Sequence, residues 1–535
     1  MVNNNQNPYN QEQMQQPPMP PVPPRMGQVM AVRKPKTWRE RMMHRFGMDV
    51  AVAPLTKGER TIPNWLTGKS IAFFFVATFM CWMAFGYVPT FDLILASSIS
   101  VVLFFYGGRS ISLSWEHTKA KKFTKNVFWV GVAVRLLWAC YMYFAFNPAH
   151  YGSTFGSSED VEWYMPFGQA VAQWISDGFP ISLNELRINW GSSIDDAGYP
   201  FWLGIVYLIT GNVSDVFIPM VLKCLFSGYC AICVFNIAKR HYGEGVARIA
   251  AIFVCLNPSM IYWSASMMKE TEMVFLTCVA IDNLDRVLTS GQRYTFKNLL
   301  PGLLATLALM FFRSVLGIVI FLAFFAHIVM ASQRVMSTGK KVLSGILVAG
   351  VLAVAMGDRI RTQSRDLLEA AQSDSQKKNM EWRAHRENGN EFAKYAGAAV
   401  FAPLIFTIPF PTMNQVLESQ TAQNIQSGGN YIKNILSFFV ILVLLMMLIS
   451  GEWRRNVFLL AYMVGYHMVL VMSNFAHSGR FHMPVIPLLM LFAAYGIQVA
   501  KNNARVRKWF PIVLVIEVIA CLAWNWFKLA GRGMV

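Results

Sequence analysis

The chain has 535 residues, of which 55% are hydrophobic and 14% charged, and its formal net charge is +18. This composition excludes a soluble protein with a single aqueous-phase core. Apolar runs of about 17 to 23 residues recur along nearly the whole length, and each can cross about 30 Å of hydrocarbon as a helix. The sequence therefore predicts an all-α polytopic membrane protein. The positive charge does not indicate nucleic-acid binding, because the basic residues are spread over short loops between apolar runs.

The first 60 or so residues differ from the rest of the chain. Asn, Gln, Pro and Met dominate up to Pro24, and a basic stretch follows from Arg25 through Arg45. Such a composition cannot bury a core, so residues 1–60 are predicted to form a disordered cytoplasmic tail. The tail lacks the apolar stretch and cleavage site of a signal peptide, so we expect the first membrane helix to target the chain.

Thirteen membrane crossings are predicted, forming a bundle whose short loops have unequal charge. The first two spans, within residues 61–125, make an extra helical hairpin before a main domain at 126–535. With the tail inside, the cytoplasmic loops carry most of the lysines and arginines, as the positive-inside rule requires. The predicted spans are 70–88, 92–108, 126–147, 215–238, 246–264, 272–288, 297–312, 314–331, 341–357, 432–450, 456–474, 483–500 and 509–527.

One apolar stretch, Gly198 to Gly211, is only about as long as an interfacial or re-entrant helix. Counting it as a span would invert every later loop and place Lys239 and Arg240 outside. We therefore expect it to lie along the membrane. Two large segments, 148–214 and 358–431, then face away from the cytoplasm.

Metal, redox and nucleotide chemistry have no clear signature in the sequence. All eight cysteines lie inside apolar runs, where a thiol behaves as a small hydrophobe. The one redox-like spacing, Cys230-x-x-Cys233, is better explained by helix packing. P-loop, HExxH and zinc-type Cys/His patterns are absent from the sequence, as is GxSxG in a strand-turn-helix context. We predict no metal site.

The first outer segment carries a group of acids just beyond the third span. Glu159, Asp160 and Glu162 lie on a helix-like stretch, with Tyr164 four residues after Asp160 on the same face. A carboxylate at the mouth of a lipid-lined cavity can act as a general base toward a hydroxyl. The alternative is structural, since Ser157 followed by Asp160 resembles a capping box and a solvated loop can carry acids without function.

Other ionisable residues are predicted at the same face, at the ends of later spans. Each alone could be a membrane anchor. Together, acids and arginines suit a site where a lipid-linked phosphate leaves and a hydroxyl attacks, because arginine binds phosphate oxygens. These residues are Lys269, Glu270, Glu272, Arg313, His477, Arg480 and His482.

Several sequence elements follow one another in a recognisable order between residues 126 and 500. They are Asp160-x-x-x-Tyr164, DDAGYPFWLGIVYLITG from Asp195, NPSMIYWSASMMKETE from Asn257, the run from Leu307 to Arg313, and GRFHMPVIPLLMLFAAYG from Gly479. In this order they resemble the motifs of the GT-C membrane glycosyltransferases, especially the branch of protein O-mannosyltransferases and aminoarabinose transferases.

The resemblance implies transfer of a sugar from a polyprenyl-phosphate donor to an acceptor hydroxyl, with inversion. Asp160 would be the catalytic base, and Glu270 the second catalytic acid. Arg313 and Arg480 would hold the departing lipid phosphate. The other residues expected to bind substrate are Glu162, Tyr164, Arg187, Tyr199, Lys269 and His482.

The sequence departs from the family at one place. Asp195, Asp196 and Ala197 stand where the family often has Pro-Pro or Lys-Pro-Pro, so the usual phosphate-binding lysine is unassigned and Arg187 is the candidate in its place. The two aspartates could ligate a divalent metal. No cofactor is expected, however, because cations can clamp a departing monophosphate without a metal.

The expected partners are the lipid-linked donor, a glycan, lipid or protein acceptor, and the bilayer. The expected location is a bacterial inner membrane, with the N-terminus cytoplasmic and the active site extracytoplasmic. A lipid-linked glycan polymerase or ligase is the nearest alternative function. A transporter or flippase of lipid-linked sugars should instead show mid-membrane charges and an internal repeat. A non-enzymatic scaffold would leave the outer acids without a role.

Overall fold

The computed structural model describes residues 60–85, 91–153, 159–189, 194–211, 215–289, 296–331, 427–472 and 479–530, besides Trp38. These residues form helices joined by turns, which confirms the all-α prediction for the described part of the chain. The predicted tail apart from Trp38 and Arg60, the predicted span 341–357, and residues 358–426 of the second outer segment lie outside the described residues.

The helices are interrupted by two π-helical segments, Leu103–Gly107 and Met142–Phe146, and two 3₁₀ turns, Glu452–Asn456 and Gly479–Val485. In chain order the α-helices of the described part are α1 Asn64–Phe85, α2 Phe91–Val102, α3 Gly108–Ser114, α4 Ala120–Tyr141, α5 Asn147–Tyr151, α6 Glu159–Ser176, α7 Leu183–Asn189, α8 Ile194–Thr210, α9 Phe217–Tyr242, α10 Glu244–Cys255, α11 Pro258–Ser264, α12 Glu270–Thr289, α13 Phe296–Phe312, α14 Ser314–Ala331, α15 Ser427–Ser450, α16 Val457–Met472, α17 Ile486–Asn502 and α18 Ala504–Ala530.

Six helical stretches of the described residues are long and apolar enough to cross a membrane, and α10 with α11 makes a seventh if that bent pair is one span. Three shorter apolar helices, Ala197–Thr210, Lys297–Phe312 and Ser314–Met330, accompany them. The chain is therefore an integral membrane protein. The total of thirteen crossings stays a prediction.

The bend of 47° between α10 and α11 is supported by a buried arginine. Pro258 at the start of α11 has no N–H, and the Asn257 side chain caps that helix. The carbonyl groups at the end of α10 lose helical partners, and Arg135 of α4 donates to two of them, at 3.0 Å to Val254 and 2.8 Å to Cys255. The broken helix thus keeps its polar groups satisfied inside an apolar bundle.

Contacts between helix termini define two ends of the bundle. One end carries the predicted site residue Glu270 at the start of α12, and we call it the site end. There, Lys223 Nζ near the start of α9 lies 3.3 Å from Glu272 Oε2 near the start of α12. At the far end, Arg240 Nη2 near the end of α9 lies 2.7 Å from Asp282 Oδ1 in α12. Helices α9 and α12 therefore run in the same direction, and α10 with α11 returns between them.

Helix α8 packs closely at the site end because its glycines admit the neighbouring helices. A Cβ on Gly198 would lie 2.7 Å from the carbonyl carbon of Phe311 in α13. A Cβ on Gly204 would lie 2.6 Å from Val171 Cγ1 in α6. Such distances leave no room for a side chain, so α8 is fixed between α6 and α13. Its predicted orientation along the membrane surface stays a prediction.

Candidate active site

A single guanidinium joins two acids that are far apart in the sequence. Arg480, on the 3₁₀ turn Gly479–Val485, donates from Nη1 to Asp160 Oδ2 and places Nε 3.5 Å from Glu270 Oε1. Glu270 is buried, whereas the side chains of Asp160 and Arg480 remain partly exposed. The two predicted catalytic acids, Asp160 and Glu270, therefore lie beside Arg480, which was predicted to bind the phosphate.

Both acids lie in the first turn of a helix, Asp160 in α6 and Glu270 in α12. The unpaired N–H groups and the dipole of a helix N-terminus favour negative charge there. Glu270 Oε2 is buried and has no hydrogen-bond partner among the described residues. A buried polar atom without a partner is costly in a folded protein and is often found where a ligand binds.

A second arginine lies beside the first, across one aromatic ring. The guanidinium of Arg313, between α13 and α14, lies 4.3 Å from the centroid of the Phe481 ring, and that of Arg480 lies 4.9 Å from it. Tyr466 donates to the Phe481 carbonyl at 3.0 Å, which fixes the turn that carries both the ring and Arg480. The Phe481 ring thus contacts two guanidinium groups, and the two carboxylates near the site lie beside only one of them, that of Arg480.

The predicted residues Lys269 and Tyr164 also lie in this cluster. Lys269 Nζ lies 5.8 Å from the centroid of the Tyr164 ring. Burial, with a further contribution from Arg313, lowers the pKa of Lys269 to about 7, and Glu270 opposes the shift. Burial and the charges of Glu270 and Asp160 raise the pKa of the Tyr164 phenol, so it stays neutral.

Tyr199 links the cluster to a buried lysine, Lys223, which was not among the residues predicted from sequence. The Tyr164 and Tyr199 rings meet edge to face with centroids 5.1 Å apart. Lys223 Nζ donates to the Tyr199 hydroxyl at 3.4 Å and to the Met268 carbonyl, and it pairs with Glu272. Because Met268 immediately precedes the lysine and glutamate of the cluster, Lys223 holds the backbone that carries them. Its signal in the sequence is a charged residue inside an apolar run.

His482 is placed on the same 3₁₀ turn as Arg480, and its partner was also missed from sequence. His482 Nδ1 lies 3.3 Å from Nζ of Lys433 in α15, and both side chains are buried. Glu162 is exposed on α6, and Arg187 is half-buried on α7. The contacts of the described residues do not bring either of these two residues into the cluster.

The predicted alternative of a metal at Asp195 and Asp196 falls on side chains outside the described residues, although their backbone forms the first turn of α8. Within the parts that the structure describes, no group of three His, Cys, Asp or Glu side chains is arranged to hold a metal ion. The cluster itself offers guanidinium, ammonium and carboxylate groups, a set suited to binding a phosphate and accepting a proton.

Comparison with known proteins adds an enzyme class. Residues 194–360 match the model of the Alg9-like mannosyltransferase family. No curated protein matches the chain. Among solved structures, an oligosaccharyltransferase from Archaeoglobus fulgidus, crystallised with zinc and sulfate, matches with a TM-score of 0.40 and 12% identity, over 75% of this chain and 53% of that one. The chain thus spans about half the length of that protein.

The family match starts at α8 and includes Lys269, Glu270 and Arg313 of the cluster. The enzyme class predicted from sequence is confirmed: the chain is a membrane glycosyltransferase.

Proposed function

We propose that this enzyme transfers a mannose unit from a lipid-phosphate donor to a hydroxyl of a glycan acceptor, with inversion. Mannose is suggested by the description of the matched family, and a glycan is one of the acceptors expected from the sequence. The observation that carries the proposal is the arrangement of Asp160, Glu270 and Arg480, in which one guanidinium contacts a partly exposed and a buried acid. The lipid is a polyprenyl or dolichyl chain, whose phosphate is the leaving group.

In the proposed reaction the acceptor oxygen attacks the anomeric carbon while the bond from that carbon to the phosphate oxygen breaks. Asp160 takes the hydroxyl proton. The departing phosphate takes the bonding electrons, and the charge that develops on it is stabilised by Arg480 and Arg313. A single displacement of this kind inverts the anomeric configuration.

The ion pair between Asp160 and Arg480 supports an order of binding. While the guanidinium holds the carboxylate, that oxygen is engaged and cannot accept the proton of an acceptor. A lipid phosphate competes for Arg480, because arginine binds phosphate oxygens in the same bidentate geometry as a carboxylate. The donor therefore frees the base for the acceptor, and Glu270 keeps Arg480 in place.

Three other predicted residues, Tyr164, Tyr199 and Lys269, lie beside this arrangement. Tyr164 and Tyr199 are buried and pack edge to face with each other, and Lys269, near the Tyr164 ring, adds a cation for the phosphate. Glu162 and Arg187 lie outside the cluster and remain predicted contacts for the acceptor.

We further propose that the site end faces away from the cytoplasm, toward the periplasm or the organelle lumen. The basic loops at the far end support this orientation. A cysteine at the exposed Asn184 should react with a membrane-impermeant maleimide in intact cells, whereas one at the exposed Lys121 should react only after permeabilisation. The reverse pattern would refute the orientation.

The transferase proposal is tested with purified protein in proteoliposomes, given a radiolabelled mannosyl-phosphate lipid and a glycan acceptor. We expect a new glycosidic bond whose anomeric configuration is opposite to that of the donor. A product with retained configuration would contradict the single displacement. Movement of the intact donor across the bilayer without transfer would favour a flippase.

A further inference from the structure

Two buried lysines near the site end differ in the way their charge is balanced. Lys223 of α9 has Glu272 Oε2 at 3.3 Å. Lys433 of α15 is 6% exposed, and its hydrogen-bond partner is Nδ1 of His482 at 3.3 Å. No ion pair joins Lys433 to a carboxylate within the described ranges of the chain. Within the described part of the chain, the second lysine thus brings a charge into the bundle without an acid paired to it.

The contact with His482 leaves N–H groups of Lys433 that can donate to another acceptor. When Lys433 is protonated its ammonium only donates, so in that state His482 Nδ1 accepts and the imidazole proton is on Nε2. One of the three N–H groups of Lys433 is used in this way, and two are left for other acceptors. The adjacent Asn434 is fully buried, and neither its amide oxygen nor its amide nitrogen has a hydrogen-bond partner among the described residues. The start of α15 therefore carries an ammonium and an amide, Lys433 and Asn434, that could bind further acceptors and donors.

A buried ammonium is strongly disfavoured unless it loses its proton or an anion reaches it, so an anion bound here would stabilise the charged form of Lys433. His482 lies two residues after Arg480 on the 3₁₀ turn Gly479–Val485, so the pair adjoins the residue that contacts both acids. Arg480 already contacts two carboxylates, whereas Lys433 has no carboxylate partner among the residues that the structure describes.

We propose that Lys433, supported by His482, is a phosphate-binding residue for the lipid donor. This inference rests on the proposed function, because it takes the donor's phosphate as the ligand. His482 is a positioning residue that holds the ammonium in place, and Lys433 contacts the phosphate itself.

The test measures binding to the purified protein in nanodiscs, by quenching of intrinsic tryptophan fluorescence. The probes are a polyprenyl monophosphate, the uncharged polyprenol and inorganic phosphate. We expect Lys433→Met to weaken binding of the polyprenyl monophosphate at least tenfold, or about 1.4 kcal/mol. Binding of the polyprenol should be unchanged. Competition by inorganic phosphate would show a site for free phosphate as well, whereas its absence would show that the lipid headgroup is the ligand.

Controls separate this site from folding and from catalysis. Lys239→Met removes a lysine at the far end of α9 and should bind the lipid phosphate normally. His482→Gln keeps an acceptor for the ammonium and should bind within threefold of the parent protein, which a gross loss of folding would prevent. If Lys433→Met does not fold, Lys433→Gln and Lys433→Arg replace it, and only the arginine variant should retain the affinity.

The outcomes distinguish the two proposals. Unchanged lipid-phosphate binding by a folded Lys433 variant would overturn this site, whether or not Asp160→Asn is inactive. Retained transfer by Asp160→Asn, with weakened binding in the Lys433 variant, would overturn the catalytic base and leave the phosphate site standing.

Discussion

The two ends of α9 and α12 carry buried charges, but they are paired differently. At the far end, Arg240 lies 2.7 Å from Asp282 and 2.9 Å from Asp285, and His241 Nε2 lies 2.8 Å from Asp285. At the site end, Glu270 has its basic partner at 3.5 Å and leaves its other oxygen unbonded among the described residues.

The difference indicates different roles for the same pair of helices. Buried charges paired within 3 Å hold helices in register, because removing one partner leaves the other uncompensated. A buried charge with spare bonding capacity can accept a ligand. We therefore assign stability to the far end and chemistry to the site end. Substitutions at the two ends should have opposite effects on stability and turnover.

The largest expected effect is on catalysis. Asp160→Asn should lower the transfer rate by about 10³-fold, because a positioned general base contributes about 10² to 10⁴. Elution from a sizing column and thermal unfolding should stay unchanged, since Asp160 is partly exposed. Asp177→Asn, at the exposed position just after the same helix, is the matched control and should retain at least half of the activity. Full activity in Asp160→Asn would remove this residue from the mechanism.

The far end should show the opposite pattern. Asp285→Ala removes the acid that Arg240 and His241 share and should lower the free energy of unfolding by about 3 to 5 kcal/mol. The apparent KM for the donor in the surviving folded protein should not change. Asp177→Ala, at an exposed position after α6, serves as the control. A normal unfolding temperature for Asp285→Ala in detergent would contradict the structural role.

The sequence predicts those site residues whose charges lie at the ends of apolar runs. Asp160, Glu270, Arg313 and Arg480 flank such runs, so one orientation rule places them all at one face. The helix positions follow from hydropathy for the same reason. For example, the predicted span 297–312 is helix α13, Phe296–Phe312.

Lys223, Lys433 and Arg135 could not be found in this way. Each lies inside an apolar run, where a hydropathy window averages its charge away. Their partners are also remote in sequence: 49 residues separate Lys433 from His482, and 120 separate Arg135 from Cys255. Such pairs form through the tertiary packing of the helices, and a single sequence does not show which helices pack together.

A smaller effect is expected where helices of the site end pack without side chains between them. Gly198→Ala would place its Cβ 2.7 Å from the Phe311 carbonyl carbon and should cost about 1 to 3 kcal/mol of stability. Gly68→Ala in α1, with nothing within 4 Å, should be neutral or stabilising by up to about 1 kcal/mol. Thermal unfolding in detergent measures both. Equal effects of the two substitutions would contradict the close approach of α8 and α13.

The smallest effect concerns pH. Since the pKa of Lys269 is lowered to about 7, the ammonium that attracts the donor phosphate is lost as pH rises through that value. The KM for the donor should rise by up to about fivefold between pH 7 and 8, and Lys269→Arg, which stays charged, should show a flat profile.

Unfolding cannot explain such a loss of affinity. A lysine in the unfolded chain keeps its proton up to about 10.5, so between pH 7 and that value the unfolded state binds more protons than the folded state. Stability contributed by this group therefore rises with pH across the window in which donor affinity falls. A KM that rises equally in Lys269→Arg would place the titrating group elsewhere, either on another residue of the site end or on the phosphate itself.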